Sequence, residues 1–192
     1  KIFPENITNI ECNLLPDNSH IWRPFAPTSR IEVQINRPGW NWNGHGYFDA
    51  NFGTNALEKD FSYWTWGRFP TSDGSIAFYD AIPRNSNPLN LALHFKKNGQ
   101  VQQIKAPPPI APMRRSLWLV KRNTRSDPDF KPRQVKHMLD TPFYTRSAVE
   151  TSIMGERVIG VHEALDLNRF ANPALKPLLA VKAPRYTLGK TN

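Results

Sequence analysis

A carboxylic acid among aromatic residues is the feature of this sequence with the clearest chemical potential. Asp49 lies near seven of them in the chain: Trp40, Trp42, Tyr47, Phe48, Phe52, Trp64 and Trp66. In an extended strand Tyr47 and Asp49 point to one face and Phe48 to the other. A carboxyl group in an aromatic-lined interior is desolvated, which favours its protonated form and makes it a candidate proton donor. Alternatively, Asp49 opens a turn at residues 51–53 and caps its backbone.

His20 and Trp22 form a second pair with the same spacing of two residues. Extended backbone places both on one face, where His20 could take up a proton or hydrogen-bond Asp49. His20 could equally be a structural histidine, and Trp22 a core residue. His45 shares the strand parity of Asp49 and is a second-choice polar partner.

Other catalytic signatures are missing from the sequence. It contains no Gly-x-Ser-x-Gly elbow, no phosphate-binding glycine loop and no His-Glu-x-x-His pair. The histidines at 20, 45, 94, 137 and 162 are not spaced as metal ligands, so no metal site is expected. The single cysteine, Cys12, excludes a disulfide framework within the chain.

The elements that must position these residues are mostly strands. Period-two alternation and turn residues predict strands at 29–36, 44–49, 61–69, 75–82, 89–95, 101–105, 116–123 (with Trp118 inside), 133–139, 148–153 and 156–165. Residues 51–55 are predicted as a turn, and 106–112 as a polyproline-like connector. The best helix candidate, 167–179, begins near Asp166 and is interrupted by Pro173 and Pro177. We therefore expect a single all-β domain over residues 1–192, an antiparallel barrel or sandwich with a short C-terminal helix, and a frayed tail from Pro184.

The charge balance suggests a membrane surface as a partner. The formal net charge is +9, and basic proteins commonly meet nucleic acid or anionic lipid. No basic run is longer than two residues, and no recognition-helix or zinc-finger pattern occurs, so nucleic acid is disfavoured. No apolar run is long enough to span a bilayer, which leaves a peripheral contact as the expectation.

Five motifs in order resemble those of the carotenoid 1,2-hydratases (hydroxyneurosporene synthases). They cover residues 19–27 (SHIWRPFAP), 44–53 (GHGYFDANFG), 57–68 (Leu-Glu, then WTWGR), 140–146 (DTPFYTR) and 161–167 (VHEALDL). The resemblance extends from about residue 19 to residue 185. It is to the C-terminal part of that family, whose N-terminal barrel is expected to lie outside these 192 residues.

This resemblance implies a lipocalin-like β fold and a hydro-lyase activity without a cofactor. Members add water to the terminal C1–C2 double bond of acyclic carotenoids such as neurosporene and lycopene. The family's functional residues fall here on His20, Trp22, Tyr47 and Asp49, with Asp49 as the acid. Indole and phenol faces stabilise a carbocation, so we expect Trp22 and Tyr47 to share that task. As further walls of the substrate site we expect Trp64, Trp66, Trp42 and Phe52.

The resemblance also implies bacterial carotenoid biosynthesis and a peripheral position on a membrane, with the cytoplasmic face favoured. A non-catalytic carotenoid- or lipid-binding subunit of a photosynthetic membrane complex is the alternative function. A different enzyme on a similar fold, such as a pericyclase acting on polyenes, is a further one.

Overall fold

Thirteen strands and three short helical segments make up the part of the chain that the structure, a computed structural model, describes: residues 1–180. The strands are β1 (Ile2–Pro4), β2 (Cys12–Asn13), β3 (His20–Ile35), β4 (Trp40–Gly53), β5 (Phe61–Thr71), β6 (Gly74–Pro83), β7 (Leu89–Lys96), β8 (Val101–Gln103), β9 (Ile110–Met113), β10 (Arg122–Arg125), β11 (Arg133–Asp140), β12 (Tyr144–Ile153) and β13 (Glu156–Asp166). The helices are α1 (Leu57–Asp60), α2 (Leu167–Ala171) and a 3₁₀ turn at Lys176–Ala180.

All strand pairs are antiparallel, and they form three sheets. The central sheet has seven strands in the order β11-β12-β13-β5-β6-β7-β8. The second sheet is built on β3, which pairs with β1 and β2 on one edge and with β4 along the other. The third is the two-stranded ribbon of β9 and β10.

The central sheet is covered on both faces, so its strands alternate between two cores. One core lies between the central sheet and the sheet of β3, where Trp22 and Leu14 pack on Trp66, Tyr79 and their neighbours. The other core contains Phe69 and Phe78 together with Met113 of the ribbon. This alternation gives β5 its pattern, because even positions from Trp64 to Arg68 face the first core while Phe69 faces the second.

The expected fold class, an antiparallel all-β fold with a short helix near the C-terminal end, is confirmed. The helix begins where predicted, with the Asp166 side chain capping its first turn by accepting from the Arg169 N–H at 3.0 Å. It ends at Ala171, ahead of Pro173, and the chain resumes as the 3₁₀ turn. No helix within residues 1–180 is long and apolar enough to cross a membrane. The predicted fraying from Pro184 lies outside the described residues.

Three local predictions were wrong. Residues 51–53 continue β4 because their backbone pairs with residues 20–22 of β3. The connector at 106–112 gives way to strand β9 from Ile110. Residues 116–121 form a tight turn and only Arg122 begins a strand, so Trp118 is exposed and not inside a sheet.

Candidate functional site

One oxygen of Asp49 receives two hydrogen bonds from aromatic side chains. The indole Nε1–H of Trp22 donates to Asp49 Oδ2 at 2.7 Å, and the hydroxyl of Tyr47 donates to the same oxygen at 3.0 Å. The other oxygen, Oδ1, has no hydrogen-bond partner within residues 1–180 and is not among the buried unpartnered atoms. Asp49 therefore does not cap a turn; it is held at one oxygen and open at the other.

Strand pairing brings these three residues together. Tyr47 and Asp49 lie two apart on β4 and share a face, as the alternation predicted. Trp22 lies on β3 directly opposite Asn51, one pair away from Asp49 along that face. Two register shifts in the β3–β4 pairing, between Arg23 and Ser29, set this alignment.

Aromatic rings from the central sheet surround the Asp49 site. Tyr79 lies 5.6 Å from Trp22 and 5.8 Å from Trp64 between ring centroids. Trp66 packs on Tyr47 at 5.1 Å. The rings differ in access: Trp22 is fully buried and Trp66 is 8% exposed, whereas Tyr47 and Trp64 are half-buried.

The two phenols next to Asp49 keep their protons. Burial raises the pKa of Tyr47 well above its ordinary value, and the charge and hydrogen bond of Asp49 raise it further. Burial likewise raises the pKa of Tyr79, with smaller contributions from the charges of Asp49 and Glu163. The guanidinium of Arg68 lies 5.6 Å from the Tyr47 ring centroid and opposes the shift there. Both hydroxyls therefore act as donors at neutral pH.

His20 meets a different carboxylate from the one expected. Its Nε2 lies 2.8 Å from Oδ2 of Asp60, the last residue of α1, and its ring packs edge-on against Phe61 at 5.1 Å. The ring is 2% exposed, and a Cβ on Gly53 would lie only 2.5 Å from its Nδ1. His20 and Trp22 share a face of β3, but the hydrogen bond to Asp49 comes from Trp22.

The remaining residues predicted for the site lie elsewhere. Trp42 and Phe52 alternate with Tyr47 and Asp49 on β4, so they project from its opposite face, and they are 52% and 50% exposed. His45 is exposed near the far end of β4. The structure thus brings Trp64 and Trp66 to the site and leaves Trp42 and Phe52 away from it.

Sequence reasoning missed Glu163 and Tyr79. Glu163 on β13 is paired with Trp66 on β5, and Trp66 is paired with Tyr79 on β6, so the three lie on one face. Burial raises the pKa of Glu163, the nearby Arg146 lowers it, and the charge of Asp49 adds a small further increase. The signal was present in the 161–167 motif, where Glu163 lies between Val161 and Leu165 on the face of β13 that packs on the first core.

Within residues 1–180 no three His, Cys, Asp or Glu side chains come together as a metal site.

Two polar atoms of the aromatic residues around Asp49 have no hydrogen-bond partner within residues 1–180. They are the indole Nε1–H groups of Trp64 and Trp66, both buried. Each can donate one hydrogen bond that no group of residues 1–180 accepts.

Comparison with known proteins identifies the family. Residues 1–191 match the family described as carotenoid hydratase CrtC. An acyclic carotenoid 1,2-hydratase of Cereibacter sphaeroides is 57% identical over 182 residues, covering 95% of this chain and 64% of its own. The enzymes of that name from Rhodobacter capsulatus and Thiocapsa roseopersicina are 50% and 38% identical, covering 64% and 46% of their own lengths.

The chain thus spans less than two thirds of these relatives. In structure it is similar to a protein assigned as AttH from Nitrosomonas europaea, with a TM-score of 0.54 over 87% of this chain and 58% of that one. At 12% identity this likeness concerns the fold alone. The family match and the 57% identity, found on a chain whose motifs hold Trp22, Tyr47 and Asp49 in contact, show that this chain belongs to the carotenoid hydratase family.

Proposed function

We propose that Asp49 is the proton donor for hydration of the terminal C1–C2 double bond of acyclic carotenoids of the neurosporene and lycopene type. The observation that carries the proposal is the convergence of Trp22 Nε1–H and the Tyr47 hydroxyl on one oxygen of Asp49. The relatives named as acyclic carotenoid 1,2-hydratases supply the substrate class.

The acid step uses the two oxygens of Asp49 differently. A proton on the open Oδ1 is delivered to C2, the less substituted carbon of the alkene, and leaves a tertiary carbocation at C1. The negative charge that then develops on Asp49 is stabilised by the two donors already aligned with Oδ2. These hydrogen bonds strengthen as the proton departs, so they lower the barrier and do not merely bind the ground state.

The cation at C1 needs negative potential without a nucleophile that would trap it. Aromatic faces supply this through their quadrupoles, at about 1–2 kcal/mol each in a desolvated site. Tyr47 and Trp64 are half-buried, so each keeps some exposed surface. Trp22 is fully buried, and its ring packs against Tyr79.

Water completes the reaction. Its oxygen attacks C1, a C–O bond forms, and the released proton returns to the Asp49 carboxylate, so the acid is regenerated and the product is a tertiary alcohol. The unpartnered indole N–H groups of Trp64 and Trp66 are suited to holding that oxygen. Because side chains and water account for every proton and electron pair, the scheme requires no cofactor. His20 is paired with Asp60 and takes no part in these steps.

The test is Asp49→Asn, which keeps the size of the side chain and an oxygen that can accept from Trp22 and Tyr47. We expect turnover of lycopene or neurosporene, measured by chromatography of the hydroxylated product, to fall by about 10²–10⁴-fold. Thermal unfolding should change little. Asp73→Asn, at an exposed hairpin turn, is the matched control and should retain activity.

Retained turnover in Asp49→Asn would refute the proton-donor role. If the unmodified protein binds the carotenoid, seen as a shift of its visible absorption, but yields no product, the non-catalytic binding function takes precedence.

A further inference from the structure

The turn between β9 and β10 presents three consecutive apolar side chains to solvent. Leu117 is 75% exposed, Trp118 48% and Leu119 64%. We call residues 117–119 the apolar loop. Single exposed apolar residues are common on protein surfaces, but three in a row at the tip of a turn indicate a contact surface.

The apolar loop is held in shape by polar contacts of its backbone. The N–H of Leu117 donates to Asp140 Oδ2 at 2.7 Å, and the carbonyl of Trp118 accepts from Arg169 at 2.8 Å. Leu119 has φ 61°, in the left-handed region that bulky residues rarely adopt. These backbone polar groups are hydrogen-bonded within the protein, while the apolar side chains are exposed to solvent. This arrangement is suited to insertion into an apolar phase.

Basic side chains surround the apolar loop. A cleft of about 950 Å³ adjoins it, with Leu117 and Leu119 on its wall, and its cationic lining residues are Arg114, Arg115, Arg122, Lys131 and Arg133. Of these, Arg114, Arg115, Arg122 and Lys131 make no ion pair within residues 1–180. Asp140 is the one carboxylate of the cleft, so its positive side chains outnumber its negative one. An apolar tip beside uncompensated positive charge is complementary to an anionic lipid surface.

The apolar loop lies at the end of the molecule that carries the His20–Asp60 pair. Arg169, which binds the Trp118 carbonyl, belongs to α2, and α2 packs against α1. Asp60 ends α1 and binds His20. A surface that meets the apolar loop therefore faces this end of the fold.

We infer that the apolar loop inserts into the headgroup region of an anionic lipid bilayer, with the adjoining cleft binding a lipid phosphate. Trp118 is suited to the interface, where an indole places its ring in an apolar layer and its N–H in a wet one. Leu117 and Leu119 reach the acyl boundary, and Arg114 and Arg115 meet the phosphates. This role is independent of the proposed hydration, since it concerns binding to a bilayer without carotenoid.

The experiment is co-sedimentation of the folded protein with vesicles of phosphatidylcholine, pure or mixed with phosphatidylglycerol, at low and high salt. We expect binding to the anionic vesicles and release by salt. The triple variant Leu117→Ser, Trp118→Ser, Leu119→Asn should lose about ten-fold or more in partitioning. Asn is chosen at 119 because it tolerates the left-handed backbone. Arg114→Gln with Arg115→Gln should lose about five-fold for each charge, and only at low salt.

The matched control is Trp42→Ser, which removes a tryptophan of similar exposure (52%) on β4 and should bind the vesicles like the unmodified protein. Unchanged partitioning of the triple variant would overturn the inference, and so would failure of the unmodified protein to bind either vesicle. Loss of self-association in the triple variant, with unchanged lipid binding, would assign the loop to a protein contact instead.

Discussion

Tyr47→Phe separates two ways in which an aromatic residue can assist carotenoid protonation. The change removes the hydroxyl that donates to Asp49 Oδ2 at 3.0 Å and keeps the ring that packs on Trp66 at 5.1 Å. If Tyr47 acts only through its π face, the variant should be nearly as active as the unmodified protein. If the hydroxyl stabilises the Asp49 carboxylate, activity should fall.

The size of the fall follows from the kind of hydrogen bond. A hydrogen bond to a charged acceptor contributes about 1.5–3 kcal/mol. In the proposed step the Asp49 carboxyl gives up its proton and becomes charged, so most of this energy appears in the transition state. We therefore expect kcat to fall by about 10- to 100-fold. The KM should hardly change, because the surface that contacts substrate is preserved.

The assay is steady-state hydration of lycopene in detergent, with the free energy of unfolding measured in urea for each variant. Tyr79→Phe is the control, since its hydroxyl donates at 3.4 Å to the amide oxygen of Asn51 and not to the carboxylate. It should lose little activity. A Tyr47→Phe variant that is folded and retains kcat within about two-fold would refute the carboxylate-stabilising role.

Two further predictions concern histidines. His162 is buried as a neutral ring that bonds the Asn123 carbonyl through Nε2, and burial lowers its pKa from 6.5 to about 4. Because the unfolded chain takes up this proton first as pH falls, the free energy of unfolding should decrease by about 3 kcal/mol between about pH 6.5 and pH 4. Urea unfolding of His162→Gln at several pH values should not show this decrease. An equal pH dependence in the two proteins would contradict the prediction. Gly53→Ala would place a Cβ 2.5 Å from His20 Nδ1 and should destabilise the fold by about 1–3 kcal/mol, whereas Gly44→Ala, whose Cβ meets nothing within 4 Å, should not; equal unfolding midpoints would show that the His20 ring can move freely.

The strands could be predicted where side-chain types alternate or where turn residues mark their ends, because both signals are local properties of the sequence. This predicted that Tyr47 and Asp49 share a face, and it located β5, β6 and β13 to within a few residues. The same rule failed at residues 116–123. An apolar run in an exposed turn has the composition of a buried strand, and composition alone does not distinguish them.

The partner of Asp49 could not be predicted in this way, because it depends on register between strands. Two shifts in the β3–β4 pairing place Trp22 opposite Asn51 and His20 opposite Gly53. A slip of one residue would turn Trp22 to the other face and leave the Asp49 carboxylate without its indole donor. His20 meets Asp60 because α1 returns the chain to the same end of β3, a contact between residues 40 apart.

Trp22 and Tyr47, which were expected to share the task of stabilising a carbocation, are placed differently by the structure. Trp22 is fully buried and packs against the Tyr79 ring, and the group that contacts Asp49 is its N–H. Tyr47 is half-buried and can offer both its hydroxyl and its face. In the proposed mechanism Trp22 thus orients the acid, and Tyr47 alone of the pair can act on both charges, the carboxylate on one side and the cation on the other. Protonation of an alkene creates these opposite charges together, and a residue that meets both favours the transition state over either neutral reactant.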